Sequence, residues 1–425
     1  MAQDSLLSDE LLRHLMAVGQ VDLLVGVPTL DNASTIGGVV QAVQQAFTTY
    51  FPRDRAVLVN SDGGSTDGTP ALIRDLAVDE AGTVSVSHSL RTMHSISAPY
   101  HGLPGKGNAL RQILTAAELT QARAVVVLDA DVTSVTPEWI AALIRPVRNQ
   151  QFDYVTPTYA RHPLDGLLVT QLVRPLVRAT YGWQVREPLA AEFACSKRFL
   201  AHCLEQDVWD SEVAKYGIDL WVTAAALAGG FRCCQAPLGP RLTSAGHARP
   251  GIQDVFPQVV GSAFLVLEQH APYWLSRQQS EPLATVGEPP DQVGDAPKVD
   301  GGRLTQTFCA DLRNLRSVLE TILATDTLSR LTAMAESESG QLHYPDDLWV
   351  QTVYEFLAAF HRGVMRRDHI TRALIPLYLG RAGSFLIQYA SADTADVETA
   401  LDALGLEFER SKPFLVECWN QASPR

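Results

Sequence analysis

Long apolar runs are missing from this sequence. No stretch of its 425 residues approaches the roughly 20 apolar residues that a helix needs to cross a bilayer. A membrane is therefore not an expected partner. Cysteine is sparse. The six cysteines, Cys195, Cys203, Cys233, Cys234, Cys309 and Cys418, form no Cys-x-x-Cys pair, which argues against a zinc site. Basic charge is short: 34 Lys and Arg stand against 47 Asp and Glu, a net charge of −13. A general nucleic-acid binder needs a basic surface to displace counterions, so that class is disfavoured. A local basic pocket for a small anion stays open. The opening "MAQDSLLSDELLRHLMAVGQ" has no basic region followed by a long apolar core and does not read as a signal peptide. The expectation is a soluble, cytoplasmic protein with reduced thiols. Two nucleotide motifs are absent as well. There is no Gly-x-x-x-x-Gly-Lys-Ser/Thr, and no Gly-x-Gly-x-x-Gly opens the first helix, which weakens a hydrolase or dinucleotide reading.

What is present describes a globular chain: 46% apolar and 19% charged residues, with length enough for two domains. The first half alternates apolar runs with helical spacing. "VDLLVGVPTL" precedes "ASTIGGVVQAVQQAF", and "RAVLVNSDGGSTDGTPALIRDLA" repeats the plan. "GKGNALRQILTAAELT" and "ARAVVVLDAD" follow. This pattern predicts an α/β fold, a mainly parallel sheet flanked by helices. Ligands in such folds bind beyond the carboxyl ends of the strands. The polar turns at 28–32, 60–67 and 129–131 all fall there. From 151 to 275 the alternation breaks into helices, short strands and loops. The polar, Pro- and Gly-rich stretch 276–302 reads as a linker or long loop, and 303–425 as a helical C-terminal subdomain. The expected division is thus 1–275, 276–302 and 303–425, without internal repeats.

Asp129-Ala130-Asp131 ends the apolar run Val125–Leu128. At strand spacing the two carboxylates share one side and repel. A hard divalent cation, Mg²⁺ or Mn²⁺, reverses the sign of that interaction. A capped turn is the plainer alternative. Asp62, at another strand end, is placed to accept hydrogen bonds from a base or ribose, or simply to hold its turn. Lys106, between two glycines before a helix, offers one ammonium to a phosphate oxygen.

"VGVPTLDNASTIGGVV", "LVNSDGGSTDGT", "GKGNAL" and "VVVLDADVTSVTPEWI" stand in the order of the nucleotide-sugar glycosyltransferases of the GT-A fold, which the chain resembles. "YGWQVREPLAAEFACSKRFL", "KYGIDLWVTAAALAGG" and "TSAGHARPGIQDVFPQV" are similar to segments of the group that holds the mannosylglycerate, glucosylglycerate and glucosyl-3-phosphoglycerate synthases. The resemblance covers about residues 20–270 and implies a GT-A catalytic domain. It implies that Asp131 and His247 hold Mg²⁺ or Mn²⁺, with Asp129 and Lys106 near the donor diphosphate. Pro28, Leu30, Asn32 and Asp62 would line the nucleoside pocket. Many relatives have an acidic residue at Asn32, so Asp31 competes with it for the ribose. Glu192 and Asp219 would orient sugar and acceptor, unless Glu192 pairs with Arg186 and Asp219 caps a helix. Ala190 and Ala191 replace two family glycines and would tighten the sugar pocket. The group retains the α-configuration, and no catalytic nucleophile is legible here.

Phosphoglycerate-using relatives carry an arginine where this chain has Leu168, in "DGLLVTQLVRPL". Leucine cannot replace the guanidinium fork. The resemblance then favours D-glycerate over 3-phosphoglycerate, held by Thr170 and Arg161, with Asp219 beside them. Arg161 is otherwise a surface arginine. The expected partners are a GDP- or UDP-hexose and one of these acceptors; a homodimer is left open. The rivals are a polyprenyl-phosphate glycosyltransferase, a nucleotidyltransferase, and a nucleotide-binding module with a vestigial metal site.

Overall fold

The structure is a computed structural model and describes residues 7, 9–81, 94–99, 105–244, 251–288, 294, 296–336 and 342–421. Among the described residues ten strands are formed: β1 Leu23–Thr29, β2 Ala56–Asp62, β3 His94–Pro99, β4 Ala124–Val127, β5 Tyr154–Tyr159, β6 Trp183–Gln184, β7 Phe193–Ser196, β8 Cys233–Gly239, β9 Glu281–Pro282 and β10 Ala284–Thr285. Eight of them make one sheet in the order β10-β8-β5-β7-β4-β1-β2-β3. All pairings in it are parallel except those of β7, which runs antiparallel to both β4 and β5. The expected α/β architecture is therefore present, a GT-A-like sheet with helices packed on it. The antiparallel β7 was not foreseen, because a four-residue strand has too little pattern to reveal its direction.

The near-continuous apolar character of β1, β2 and β4 follows from burial on both faces. Val25, Val57 and Val126 have no exposed surface worth counting. Helix Ile36–Tyr50 and helix Pro137–Gln150 bury Val39, Val43, Trp139, Ile140 and Leu143 in the core with the strand residues Leu23, Val25 and Val126. Gly26 is required by packing. A Cβ there would lie 2.2 Å from the Ile113 side chain of helix Lys106–Leu119. The register matches Thr29 to Asp62 across β1 and β2, and Gly26 to Val127 across β1 and β4. Three parallel strands thus end at one edge. Strand order reverses between β1 and β4, which is where an open α/β sheet leaves a crevice for ligands.

The chain forms two compact units. The first comprises 1–160, 189–249 and 283–293; the second comprises 161–188, 250–282 and 294–425. This differs from the expected cut at 275. Helix Arg174–Tyr181 packs on Thr394–Arg410, and Ile252–Gln269 packs on Arg367–Gln388, so segments that precede the supposed linker belong with the C-terminal helices. The supposed linker itself yields β9, paired with β6, and β10, paired with β8. The helical reading of 303–425 holds: among the described residues it runs as a series of helices from Gly301–Asn314 to Lys412–Asn420. Among the described residues no helix is long and apolar enough to cross a membrane.

Candidate active site at the strand ends

In the first unit the loops after β1, β2 and β4 are laced together by side chains from the motifs. Asp31 adopts φ 55, a left-handed conformation in which its amide donates to Ser65 Oγ at 2.8 Å. Its carboxylate accepts from Thr66 N at 2.7 Å, and Asp67 accepts from Ala33 N at 2.8 Å. Asp62 is buried and accepts four hydrogen bonds: from Thr29 Oγ1 at 2.8 Å, Ser65 Oγ at 2.6 Å, Gly64 N at 3.0 Å and Ser65 N at 2.9 Å. Both of its oxygens are used in holding the turn, at the strand end where a nucleoside is expected. Pro28 is half-buried in β1, and Leu30 is exposed at the strand end.

Asn32 is buried and joins two loops. Its Oδ1 accepts from Leu30 N at 2.7 Å, and its Nδ2 donates to Asp131 Oδ1 at 2.6 Å. Asn32 therefore addresses the Asp131 carboxylate. An acidic side chain there would face Asp131 as a like charge. Asp131 is exposed, and its second oxygen takes no hydrogen bond among the described residues.

Asp129 does not share the fate of Asp131. Its Oδ1 accepts from Asp131 N at 3.2 Å, and its Oδ2 lies 2.7 Å from Arg241 Nη2. The guanidinium of Arg241 also reaches Glu192 Oε1 at 3.1 Å. Glu192 has no exposed surface, and its other oxygen accepts from Tyr159 Oη. Burial pushes Glu192 up, Arg241 opposes that, and Asp129 adds to it. Burial works against the Arg241 charge, but Glu192, Tyr159 and Asp129 outweigh it and hold the guanidinium firmly protonated. Glu192 thus has no exposed surface and is engaged by Arg241 and Tyr159, and it does not pair with Arg186, which reaches Glu398 at 2.6 Å. Arg241 follows β8 by two residues and is held there by backbone bonds from Thr133 N to Leu242 O at 2.9 Å and from Ser244 N to Asp131 O at 3.1 Å.

Lys106 and Asp219 form the second pair. Nζ is 2.7 Å from Asp219 Oδ1. Burial opposes the Lys106 charge, yet Asp219, Asp129 and Glu192 raise its pKa above the ordinary value. Burial is also the leading cause that raises Asp219, against the pull of Lys106. Asp219 lies in the first turn of helix Ile218–Ala228 and makes no side-chain cap, so the helix-cap alternative is not what forms. The glycines beside Lys106 serve packing. A Cβ on Gly107 would lie 2.4 Å from Ala214 O, and Gly105 has φ 138 with Lys215 Cα 2.8 Å from its Cβ position.

Asp131, Asp129, Glu192 and Asp219 give four carboxylates against the two cations Lys106 and Arg241. His247 lies outside the described residues, and among those described no group of three or more His, Cys, Asp and Glu side chains could hold a metal ion. Arg241 and Tyr159 escaped the sequence reading. The one available signal was position: Arg241, like Asp129, stands just past the end of a strand.

Arg161 and Thr170 belong to the second unit. The Arg161 guanidinium pairs with the buried Glu187. Leu168 is followed by a π-helical turn, Val169–Val173, on which Thr170 Oγ1 is buried without a hydrogen-bond partner among the described residues.

The family described as glycosyl transferase family 2 matches residues 24–200, a span that holds the β1, β2 and β4 loops, Lys106 and Glu192. No curated protein matches the chain. Among solved structures, glucosyl-3-phosphoglycerate synthase of Mycobacterium tuberculosis in complex with phosphoglyceric acid is similar at 20% identity over 61% of this chain and 84% of that one, with a TM-score of 0.45. The same enzyme with Mn²⁺, uridine diphosphate and glucosyl-3-phosphoglycerate gives 21%, 61%, 84% and 0.43. With Mn²⁺, uridine-diphosphate-glucose and phosphoglyceric acid the values are 19%, 66%, 93% and 0.43. The match to glycosyl transferase family 2 over residues 24–200, under half of the chain, supports a glycosyltransferase.

Proposed function

We propose that the chain moves a hexose, with retention of configuration, from a nucleotide diphosphate sugar to D-glycerate in a reaction that depends on Mg²⁺ or Mn²⁺. One observation carries the metal and donor parts of this reading. Four carboxylates meet two protein cations at the carboxyl ends of β1, β4 and β8, and the exposed Asp131 keeps an oxygen open. Of the Asp129 and Asp131 carboxylates, Asp131 alone keeps an oxygen open, among the described residues, to a hard divalent cation, which it would hold with His247 as the second expected ligand. When bound, that cation supplies charge neutralisation for the departing diphosphate.

The chain's own groups do the rest. Asn32 fixes Asp131 through its amide. Arg241, anchored by Glu192 and Tyr159, holds Asp129 in place. Lys106 has three donor hydrogens, one of them directed at Asp219, and the others, without a partner among the described residues, would meet phosphate oxygens. No side chain stands as a nucleophile in this reading. The bond from the anomeric carbon to the diphosphate oxygen breaks while the acceptor hydroxyl oxygen bonds to the same face, and the hydroxyl proton passes to the leaving phosphate. Similar enzymes are crystallised with Mn²⁺, uridine-diphosphate-glucose and phosphoglyceric acid, which makes a uridine donor the first to try.

The test is purified protein with Mg²⁺ or Mn²⁺, a panel of nucleotide sugars and D-glycerate, with the product identified by mass and NMR. A glycosylglycerate of α-configuration is expected. Asp131→Ala should lower kcat on the order of a hundredfold or more, the scale for loss of one main electrostatic stabiliser. Full turnover in excess EDTA would overturn the metal requirement.

A further inference from the structure

In the first unit a single side chain, Arg241, touches both a buried carboxylate and a solvent-facing one. Glu192 has no exposed surface, whereas the Asp129 side chain is 28% exposed and that of Arg241 25%. One guanidinium spans the two, 2.7 Å from Asp129 Oδ2 and 3.1 Å from Glu192 Oε1. Its planar fork has donors for both at once, which a point charge lacks. At the buried end Tyr159 donates to the other oxygen of Glu192, and the guanidinium carbon lies 5.8 Å from the centre of the Tyr159 ring. That end is fixed by packing, and the aim of the fork at Asp129 follows from it.

The main chain fixes the same arrangement independently. Gly239 ends β8 with φ 85, a left-handed conformation that suits glycine. Beyond Arg241 the chain runs beside the Asp131 turn: Val132 and Thr243 form an antiparallel bridge, and Leu242 N donates to Ser134 Oγ at 2.9 Å. Arg241 and Asp129 thus belong to two loops tied to each other by backbone. The two carboxylates of the Asp129-Ala130-Asp131 turn have unequal duties as a result. Asp129 spends Oδ1 on Asp131 N and Oδ2 on Arg241. Asp131 gives Oδ1 to Asn32 and keeps its other oxygen open among the described residues. Lys106 is directed at Asp219 and acts on Asp129 only at a distance, so it does not duplicate Arg241.

We propose that Arg241 is the positioning residue of this turn: by neutralising Asp129 it leaves Asp131 as the carboxylate that meets the divalent cation, and it lowers the repulsion that a nucleoside diphosphate meets beside the turn. This rests on the metal and donor of the proposed function. An Asp129 without its counter-charge would attract the cation and repel the diphosphate, so releasing it moves the two affinities in opposite directions. Loss of a merely structural brace would weaken both.

The experiment compares the full chain, the double variant Arg241→Gln/Glu192→Gln, and the same double variant with Asp129→Asn added. The double change removes both ends of the buried pair, so no charge is stranded in the core. Circular dichroism melts check that it folds. Mn²⁺ alone is titrated by electron paramagnetic resonance. Uridine and guanosine diphosphate are titrated by calorimetry at saturating Mn²⁺, and the tighter of the two is compared across variants. The double variant should bind Mn²⁺ at least about tenfold more tightly than the parent and the diphosphate at least about tenfold more weakly. Adding Asp129→Asn should return both values toward the parent. Unchanged or weaker Mn²⁺ binding by the folded double variant, or a gain that survives Asp129→Asn, overturns the role of Arg241 while leaving the metal and donor reading intact. Should the double variant not fold, Asp129→Asn by itself decides. It should leave Mn²⁺ binding within about twofold of the parent, the scale of a charge already neutralised, and a tenfold loss would show Asp129 meeting the cation despite Arg241. A parent that binds no Mn²⁺ with either diphosphate overturns the metal reading itself, and this inference with it.

Discussion

Glu192 is a carboxylate with no exposed surface, held by Arg241 on one oxygen and Tyr159 on the other. Buried ion pairs contribute little over an apolar substitute, but breaking one from a single side strands a charge. Arg241→Gln should therefore cost about 3–5 kcal/mol of stability at neutral pH. The pH dependence follows from the direction of the shift. Burial raises the folded pKa of Glu192 above its unfolded value, so the folded state binds more protons in the interval between them. The group's contribution is full below the unfolded value and falls as pH rises through the folded one. Loss of Arg241 removes the main opposing charge and widens that interval upward. Urea unfolding of Arg241→Gln at about pH 5 and about pH 8 should show a steeper loss at the higher pH than the parent. Adding Glu192→Gln should flatten it, and an equal pH slope in all three proteins would show that Arg241 does not compensate Glu192. None of this pairing was legible in advance. Glu192 could be suspected from "EPLAAE", but its partner stands 49 positions away, and long-range charge matching leaves no local pattern.

Helix Lys106–Leu119 carries Lys106 on its first position and fits against β1 and the segment Ala214–Lys215 through glycine-sized gaps. Gly107→Ala places a methyl 2.4 Å from a backbone oxygen that cannot rotate away. The expected cost is about 1–3 kcal/mol from overpacking, with loss of activity as Lys106 is displaced from Asp219. Gly38 is the contrast within helix Ile36–Tyr50. A Cβ there meets nothing within 4 Å, so Gly38→Ala should stabilise by roughly 0.5–1 kcal/mol. Thermal melts of the two variants moving in the same direction would refute this account of the helix contacts. At this scale the sequence was readable where period and length were strong. The β1, β2 and β4 runs and the helices that follow them stand where apolar spacing puts them. The short β6, β7, β9 and β10 do not announce themselves, because two to four residues cannot establish a period. The division into units was missed for a related reason. Composition marks 276–302 as polar, but which helices share a core depends on packing between distant segments such as Arg174–Tyr181 and Thr394–Arg410.

For the molecule as a whole the open question is which acceptor it uses, and the charges of the second unit bear on it. Leu168 stands before the π-helical turn, at the position where the family resemblance implies an arginine in phosphoglycerate-using enzymes. Nearby in the same unit Arg161 pairs with Glu187, Arg186 with Glu398, and Arg178 with Asp402 and Glu409. A glycerate carboxylate needs one cation. The phosphate of 3-phosphoglycerate needs another, and desolvating it beside leucine without a partner would cost several kcal/mol. Even a small share of that cost, about 1.4 kcal/mol in transition-state binding, is tenfold in rate. The ratio of kcat/KM for D-glycerate to that for 3-phosphoglycerate should therefore be at least about ten, measured at saturating donor and metal. Leu168→Arg should narrow the ratio by improving 3-phosphoglycerate alone, because the added fork leaves the group that meets the carboxylate unchanged. Equal or better use of 3-phosphoglycerate by the parent would show that a cation from outside this set meets the phosphate, and would place the chain's reaction with those that make a phosphorylated product.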